Sequence, residues 1–595
     1  MIHGSFHPLH APRWQWWFVL VFGALTLLCG SVGIRQYEHL YYPEAHHGLS
    51  PIYHAAQMLM LHAAHFDKGV NGWIEAGRWF GVLTLFTATG ALLGMRLRHE
   101  LRLLRLTGWT DHHVICGLGH KGFGIAVCLK EHDATARVVA LDPQPDPYLA
   151  DKCEEQGICV IAADAAQAKA LKQARVAHAR EVIVITPTDE TNLRIAAELR
   201  SQQSVPKGGV AACHVHLSDI HLREALQQWM EADKQNSPRG ALRFFDVFDH
   251  EARRVLNELP LDGAGIAKDD PRSVHVVILG FGRMGRSLAL RAAKMGHFAN
   301  GQPLRLSVID RKASQQLDRF LFRYPVLQGG NVCQLNFYTA EAESLAARKL
   351  VDQWASATNT LLHVFICLDD NTRGLEVALR FQQVLGNRPD SNLLLRIHSH
   401  ESLAALVESA GSRDNRIKPF GMVEDAGCVD ALRHEHNEAL ARAIHEQFAR
   451  DRLAGSQRRP ENDPAVRVWE ELFEDIRESN RQQADHVAIK LRAIGCKLLA
   501  ASAAGEAVTK LAWDEIELLA PLEHARWNAE RWIANWRYGT PSDKKHRISE
   551  YLVPWADLPE SIRKYDEDSV ANIPLLLQQA KPPLKVVRAD KPSAV

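Results

Sequence analysis

The sequence has no surplus of either charge sign. Lys and Arg number 70 and Asp and Glu number 70, so no basic excess draws in nucleic acid and none is expected as a partner. There is no cysteine framework either. Ten cysteines are scattered through 595 residues without a CxxC pair or zinc-type spacing, as expected of thiols kept reduced in a cytosol. No disulfide scaffold or metal site is indicated. No A-x-A-like cleavage site follows the apolar N-terminal run, so that run does not read as a removable signal. The length exceeds what one core serves, and three or four units are expected.

What is present begins with that apolar run. Trp14 to Ile34, "WQWWFVLVFGALTLLCGSVGI", has the length and composition of a transmembrane helix. A second candidate is Ile74 to Met95, whose uncharged core from Trp79 is a little short unless Glu75 and Arg78 lie at the interface. Trp14, Trp16, Trp17, Trp73 and Trp79 would form aromatic belts. Arg96, Arg98, Arg102 and Arg105 follow at once. By the positive-inside rule this places the downstream chain in the cytoplasm, with the N-terminus on the same side. A multi-pass protein of a cell inner membrane is expected. Between the helices, Pro51 to His65 is helical in pattern but too short to span. Helix, short re-entrant helix, helix resembles the layout of two-transmembrane channels. Potassium channels of that build carry a TVGYG-like run after the pore helix. This chain has "FDKGVNGW", Phe66 to Trp73, so potassium selectivity does not carry over. An extracytoplasmic loop on a membrane anchor is the alternative.

After the basic segment, "HHVICGLGHKGFG" runs a short apolar strand into Gly117, Gly119 and Gly122. This is the setting a dinucleotide fingerprint requires: the first glycine turns the chain, the second lets backbone approach a pyrophosphate, and the third packs the helix closely. "ARVVALD" ends in Asp142, about twenty residues on, where a carboxylate can hold ribose hydroxyls. Further strands end at Asp164 and at Thr186, Asp189 and Asn192. The pattern recurs about 160 residues later with Gly280, Gly282 and Gly285, then "LRLSVID" ending in Asp310, and "HVFICLDDNT" ending in Asp369, Asp370, Asn371 and Thr372. The fold class expected is therefore an α-helical membrane domain plus α/β, with two Rossmann-like doubly wound parallel-sheet lobes in tandem, then a mainly α-helical unit. A degenerate lobe that keeps its glycines for the turn alone is the structural alternative, more so in the second lobe. No separate domain with a placed His, Lys or Tyr base follows either lobe, so no enzyme is expected.

Two membrane helices, a basic connector and tandem TrkA-N lobes resemble the regulator-of-conductance (RCK) assemblies of potassium channels and transporters, over roughly residues 1–445. The resemblance implies NAD(H) or an adenine nucleotide held at Gly117, Gly119, Gly122, Asp142 and Asp164 in the first lobe. In the second it implies Gly280, Gly282, Gly285 and Asp310. It also implies a homotetramer. The second lobe departs from the first in a longer gap before its acidic residue and in Arg283 and Arg286 beside the glycines.

Composition shifts at "ARDRLAGSQRRPENDP", Ala449 to Pro464, which reads as a linker. Beyond it, Leu518, Leu522, Ala525, Ala529, Trp532 and Trp536 recur as one apolar helical stripe. Trp532 and Trp536 are expected in the core. Trp527 lies off that stripe among Glu523, His524, Glu530 and Arg531, which suits either base stacking or a solvated ion-pair face. "ESNRQQADHVAIKLRAIGCKL", "LEHARWNAERWIANWRYG" and "DKKHRISEYLVPWADLPESIRKYDED" resemble the ryanodine-receptor-type (RyR) domain. The resemblance implies an adenine nucleotide or derivative, such as ADP-ribose, at Ser479, Asn480, Arg481, Asp485, His524, Trp527, Arg531, Tyr538 and Lys545. The domains expected are 1–105 (two-helix pore-like), 106–250 and 251–445 (the lobes), 446–464 (linker), 465–575 (RyR-type) and 576–595 (flexible tail). The function expected is a ligand-gated ion channel for an inorganic cation, with potassium the candidate. The rivals are a non-conducting membrane-tethered nucleotide sensor and, further off, an NAD-dependent oxidoreductase.

Overall fold

The computed structural model describes residues 13–43, 48–62, 66–202, 212–219, 242–386, 390–397, 417–421, 435–454 and 463–589, with isolated positions between them. The N-terminal unit consists of α1 (Arg13–Tyr41), α2 (Ser50–Leu59) and α3 (Gly72–Leu106). Glycines let these three helices approach closely. A Cβ on Gly30 would lie 2.8 Å from the Ala55 Cβ, and one on Gly81 would lie 2.6 Å from the Met58 carbonyl oxygen. Small residues at such crossings replace a hydrophobic drive with tight van der Waals contact. Asn71 caps α3 by accepting the Ile74 N–H at 3.0 Å, and its amide donates to the Gly33 carbonyl at 3.0 Å. Among the described residues one helix, Trp16–Tyr41, is long and apolar enough to cross a bilayer. The second expected span, Ile74 to Met95, lies within α3, and its last four side chains fall outside the described residues.

Helix α3 passes through five residues into β1 (His112–Cys116). Arg175 clamps this connector, its guanidinium donating to the carbonyl oxygens of Thr107 and of Trp109. The first lobe then alternates α4 (His120–His132), β2 (Val138–Asp142), α5 (Pro147–Glu155), β3 (Cys159–Ala162), α6 (Ala168–Gln173), β4 (Ala179–Val184), α7 (Asp189–Gln202), β5 (Ala212–His216) and β6 (Leu242–Phe245). Helix α8 (Val247–Glu258) leads to β7 (Ser273–Leu279), α9 (Arg283–Met295), β8 (Arg305–Asp310), α10 (Ala313–Arg323), β9 (Gln334–Thr339), α11 (Leu345–Ala355), β10 (Thr360–Ile366), α12 (Asn371–Leu385), β11 (Ser391–Arg396) and β12 (Ile417–Phe420). Both sheets are six-stranded, parallel and identically wound, β3-β2-β1-β4-β5-β6 and β9-β8-β7-β10-β11-β12. Strands such as "HHVIC" and "TLLHVFI" are buried along their whole length, as parallel strands covered on both faces require. The tandem α/β reading holds. The lobes share a core in which Ile115, Ile183 and Phe248 join Val276, Leu288 and Phe365.

The C-terminal unit contains α13 (Glu435–Ala454), α14 (Glu474–Ala493), β13 (Cys496–Ala500), α15 (Trp513–Ile533), the short strands β14 (Arg537–Tyr538) and β15 (Ile548–Ser549), α16 (Glu560–Ala571), α17 (Ile573–Gln579) and β16 (Leu584–Arg588). Two sequence expectations are corrected here. The expected linker 446–464 opens inside α13, whose Leu440, Ala441 and Ile444 join Trp469, Val487 and Leu522 in one core, while its stretch 455–462 lies outside the described residues. The expected tail 576–595 contains the end of α17 and β16, which pairs antiparallel with β13 from Cys496–Arg588 to Ala500–Leu584. Charge-rich composition suggests disorder, but Leu576, Leu577 and Val586 bury themselves in that core.

Candidate functional site

The first glycine-rich turn has the geometry that its sequence implies. Gly117 adopts φ +108°, where a side chain is strained, and a Cβ there would lie 2.6 Å from the Ile185 carbonyl oxygen. A Cβ on Gly122 would lie 1.9 Å from the Gly117 carbonyl oxygen, whereas Gly119 faces open space at the start of α4. A helix N-terminus with bare backbone above it is a phosphate-binding arrangement. Asp142 ends β2, and its Oδ2 accepts the Leu118 N–H at 2.8 Å, fixing the turn. Its Oδ1 accepts the Gln144 N–H at 2.9 Å. Asp164 accepts the Ala166 N–H at 2.9 Å and shapes the loop after β3. At the ends of β4 and β5, buried Asn192 accepts the Thr186 N–H at 2.8 Å and donates to the His216 carbonyl at 2.9 Å. The Asp189 carboxylate accepts the N–H groups of Ser218 and Asp219 at 3.1 and 3.2 Å.

The second turn repeats this bond for bond. Gly280 has φ +89°, Gly285 packs on the Gly280 carbonyl, and Gly282 faces open space. Asp310 Oδ2 accepts the Phe281 N–H at 2.8 Å, and Oδ1 accepts the Lys312 N–H at 2.7 Å. The longer spacing before Asp310 is absorbed between α9 and β8. Arg283 is exposed at the first position of α9. Arg286 is half-buried, and burial with Arg323 and Arg283 nearby lowers its pKa.

The residues expected to form the C-terminal site divide into two groups. Arg481 and Asp485 are buried in ion networks. Arg481 binds Glu438 at 2.7 Å and also Glu474. Asp485 accepts from Arg253 Nε at 2.8 Å, and Arg253 also holds Glu478 at 2.8 Å. Arg291 of α9 joins Asp249 at 2.8 Å and Glu478 at 3.0 Å. Burial alone would raise the pKa of Glu478, but Arg253, Arg291 and Arg481 outweigh it and hold the carboxyl well below its usual range. Asp485 and Glu478 fasten α14 to α8 and α9, and Arg481 fastens it to α13. Arg481 and Asp485 are buried in these pairs and not open to a ligand, which corrects their expected role. Asn480 donates to the Ile476 carbonyl at 2.8 Å within its own helix.

The second group gathers on α15. His524 Nε2 contacts the Val553 carbonyl oxygen at 2.8 Å, and its Nδ1 lies 3.3 Å from Asp566. Burial raises the pKa of Asp566. The His524 ring lies 5.8 Å from that of half-buried Trp527, at 23°, and 5.9 Å from that of Trp555. The Arg531 guanidinium stands 5.7 Å from the centre of Trp527 and 4.9 Å from that of Trp536, and contacts the Ser479 hydroxyl at 3.4 Å. Ser479, His524, Trp527 and Arg531 therefore converge. Tyr538 and Lys545 are exposed beyond the helix. The neighbours of Trp527 are not a solvated ion-pair face, because Glu523, Arg526 and Glu530 are buried. Lys490 and Arg526 both bind Glu523 and hold its carboxyl at about 2 against burial. Sequence periodicity cannot show this, since it assigns ionic residues to solvent. Trp532 is half-buried against the central core, while Trp536 lies past the helix end at Ile533.

Comparison with known proteins follows the same division. Residues 113–233 match the TrkA-N domain model and residues 509–580 match the RyR domain model. No curated protein matches the chain. Among solved structures, GsuK bound to ADP is 16% identical, with 71% of this chain and 98% of that chain covered at a TM-score of 0.37. The GsuK channel bound to NAD is 15% identical, with 71% and 85% covered at 0.37. A dipicolinate synthase component from Bacillus halodurans is 12% identical, with 55% and 97% covered at 0.19. Likenesses of this depth say nothing of what this chain does. The chain carries a TrkA-N domain in its first lobe and a RyR domain near its C-terminus.

Proposed function

We propose that this protein forms a membrane-anchored, nucleotide-gated channel. Its first lobe, and by duplication its second, holds NAD(H) or an adenine nucleotide, and its RyR domain senses an adenine nucleotide or derivative such as ADP-ribose at Trp527. The observation that carries the reading is the repeated strand–glycine–helix turn, pinned in both lobes by the carboxylate of the next strand and joined to α3 through an arginine-clamped connector. A change of lobe shape on binding acts directly on that helix. Ligand must favour one shape over the other for the equilibrium to move. The membrane unit crosses an inner membrane twice, with the termini cytoplasmic, and a homotetramer encloses the path that two helices alone cannot. The chain is a regulator and not an enzyme.

A second reading, a non-conducting nucleotide sensor, has one observation in its favour. The segment expected to hold a filter is engaged with α1: Phe66 meets Tyr37 edge-on at 4.9 Å, and the Lys68 N–H donates to the Tyr37 hydroxyl at 3.2 Å. Ion flux from liposomes holding the purified protein, with NAD(H), ADP, ATP and ADP-ribose added in turn, separates the two. Flux that depends on a nucleotide is expected, and binding without flux selects the sensor.

A further inference from the structure

The two turns invite a position-by-position comparison, Gly117-Leu118-Gly119-His120-Lys121-Gly122 against Gly280-Phe281-Gly282-Arg283-Met284-Gly285. Leu118 and Phe281 are buried alike, and each donates its N–H to the next strand's carboxylate. The residue before the third glycine differs. Met284 is 1% exposed in the apolar core, whereas its counterpart is Lys121. The Lys121 ammonium lies 4.0 Å from the centre of the Phe248 ring, which Arg396 also approaches at 5.5 Å.

Lys121 makes no ion pair or hydrogen bond among the described residues, and the carboxylates near it are committed elsewhere. Asp246 caps α8 through the Phe248 N–H at 3.0 Å and lies 3.4 Å from His216 and 3.9 Å from Arg223. Asp189 accepts the backbone N–H groups of Ser218 and Asp219. The other cations within electrostatic reach are Arg283 and Arg396, and Arg396 has a carboxylate of its own, Asp369 at 3.1 Å. Burial first, opposed by the Asp246 carboxylate and aided by these like charges, holds the Lys121 amine down at about 8. A cation placed in this way is costly without an anion to meet it. It stands in the first turn of α4, whose N–H groups already face the phosphate position.

We propose that Lys121 is a specificity-determining residue of the first lobe. It pairs with the terminal phosphate of a nucleoside di- or triphosphate, so that the lobe prefers such a ligand to a dinucleotide, whose pyrophosphate is esterified at both ends and leaves no terminal phosphate. This rests on the nucleotide reading of the lobe given above. The second lobe, with Met284 at this position, lacks the preference.

The test is calorimetric titration of the full chain in detergent with ATP, ADP and NAD+, for wild type, Lys121→Met and Lys121→Arg, with thermal unfolding to confirm that each variant is folded. The expected result is a loss of about tenfold in ATP and ADP affinity in Lys121→Met, as for one charged hydrogen bond. NAD+ binding should be unchanged, and Lys121→Arg should retain ATP and ADP binding. ATP affinity unchanged in Lys121→Met, or NAD+ weakened as much as ATP, overturns the role of Lys121 and leaves the nucleotide reading standing. Wild type that binds none of the three overturns both.

Discussion

At the scale of single residues, this protein places charge inside and then neutralises it with partners. Arg291, Arg481, Lys490, Glu523 and Arg526 are all buried, and each has an opposite charge in contact. Such networks contribute little net stability over an apolar core, but they penalise any arrangement that separates the partners. Trp527 is different. It is half-buried between His524 and Arg531, which suits a stacked base. Trp527→Ala should weaken binding of an adenine nucleotide by the C-terminal domain by about 1–3 kcal/mol. Calorimetry with ADP-ribose and AMP checks this, and an unchanged affinity would mean that the indole only packs against His524. Trp527 is legible in the sequence as an aromatic off the apolar stripe. The true partners of Arg481 and Asp485 are not, because Asp485 is held by Arg253, 232 residues away in the chain.

At the scale of elements, helix α9 is shared between two units. Its N-terminus forms the second glycine-rich turn, while Arg291 on its later half is held by Asp249 of α8 and Glu478 of α14. The C-terminal domain is thereby fastened to the second lobe, and the two are expected to move as one body. In the N-terminal unit, glycines set the spacing of α1, α2 and α3. Gly81→Val should cost about 1–3 kcal/mol by overpacking against the Met58 carbonyl. Gly90→Val, which meets nothing within 4 Å, should be near neutral. Thermal unfolding of both variants in detergent checks the contrast, and equal melting temperatures would contradict the packing described here.

At the scale of the whole molecule, buried histidines make stability depend on acidity. Burial is the leading cause that holds His250 and His275 at about 3 and His297 and His363 at about 4. The unfolded chain takes up these protons near pH 6.5, while the folded chain refuses them until much lower pH. Between those limits the unfolded state binds more protons, so stability falls as pH falls, by up to about 1.4 kcal/mol per pH unit for each histidine. Glu523, held at about 2, adds a later loss, since its contribution is complete above about pH 4.3 and disappears toward pH 2. A melting temperature that declines from pH 7 to pH 5 is expected, and a flat profile over that range would mean that the histidines are not buried as described.

The local physics of the chain was enough to determine the glycine turns, the alternation of strand and helix, the duplication and the apolar N-terminal helix. Each is written in periodicity, or in a backbone conformation that only glycine adopts without strain. Tertiary structure alone decided which charged residues are internal, that Glu435–Ala454 and Leu584–Arg588 belong to the C-terminal domain, and that Lys121 faces Phe248 and the second lobe's arginines. The reason is physical. A charge can be buried only if its partner arrives from a distant part of the chain, and nothing in the local sequence says which partner that is.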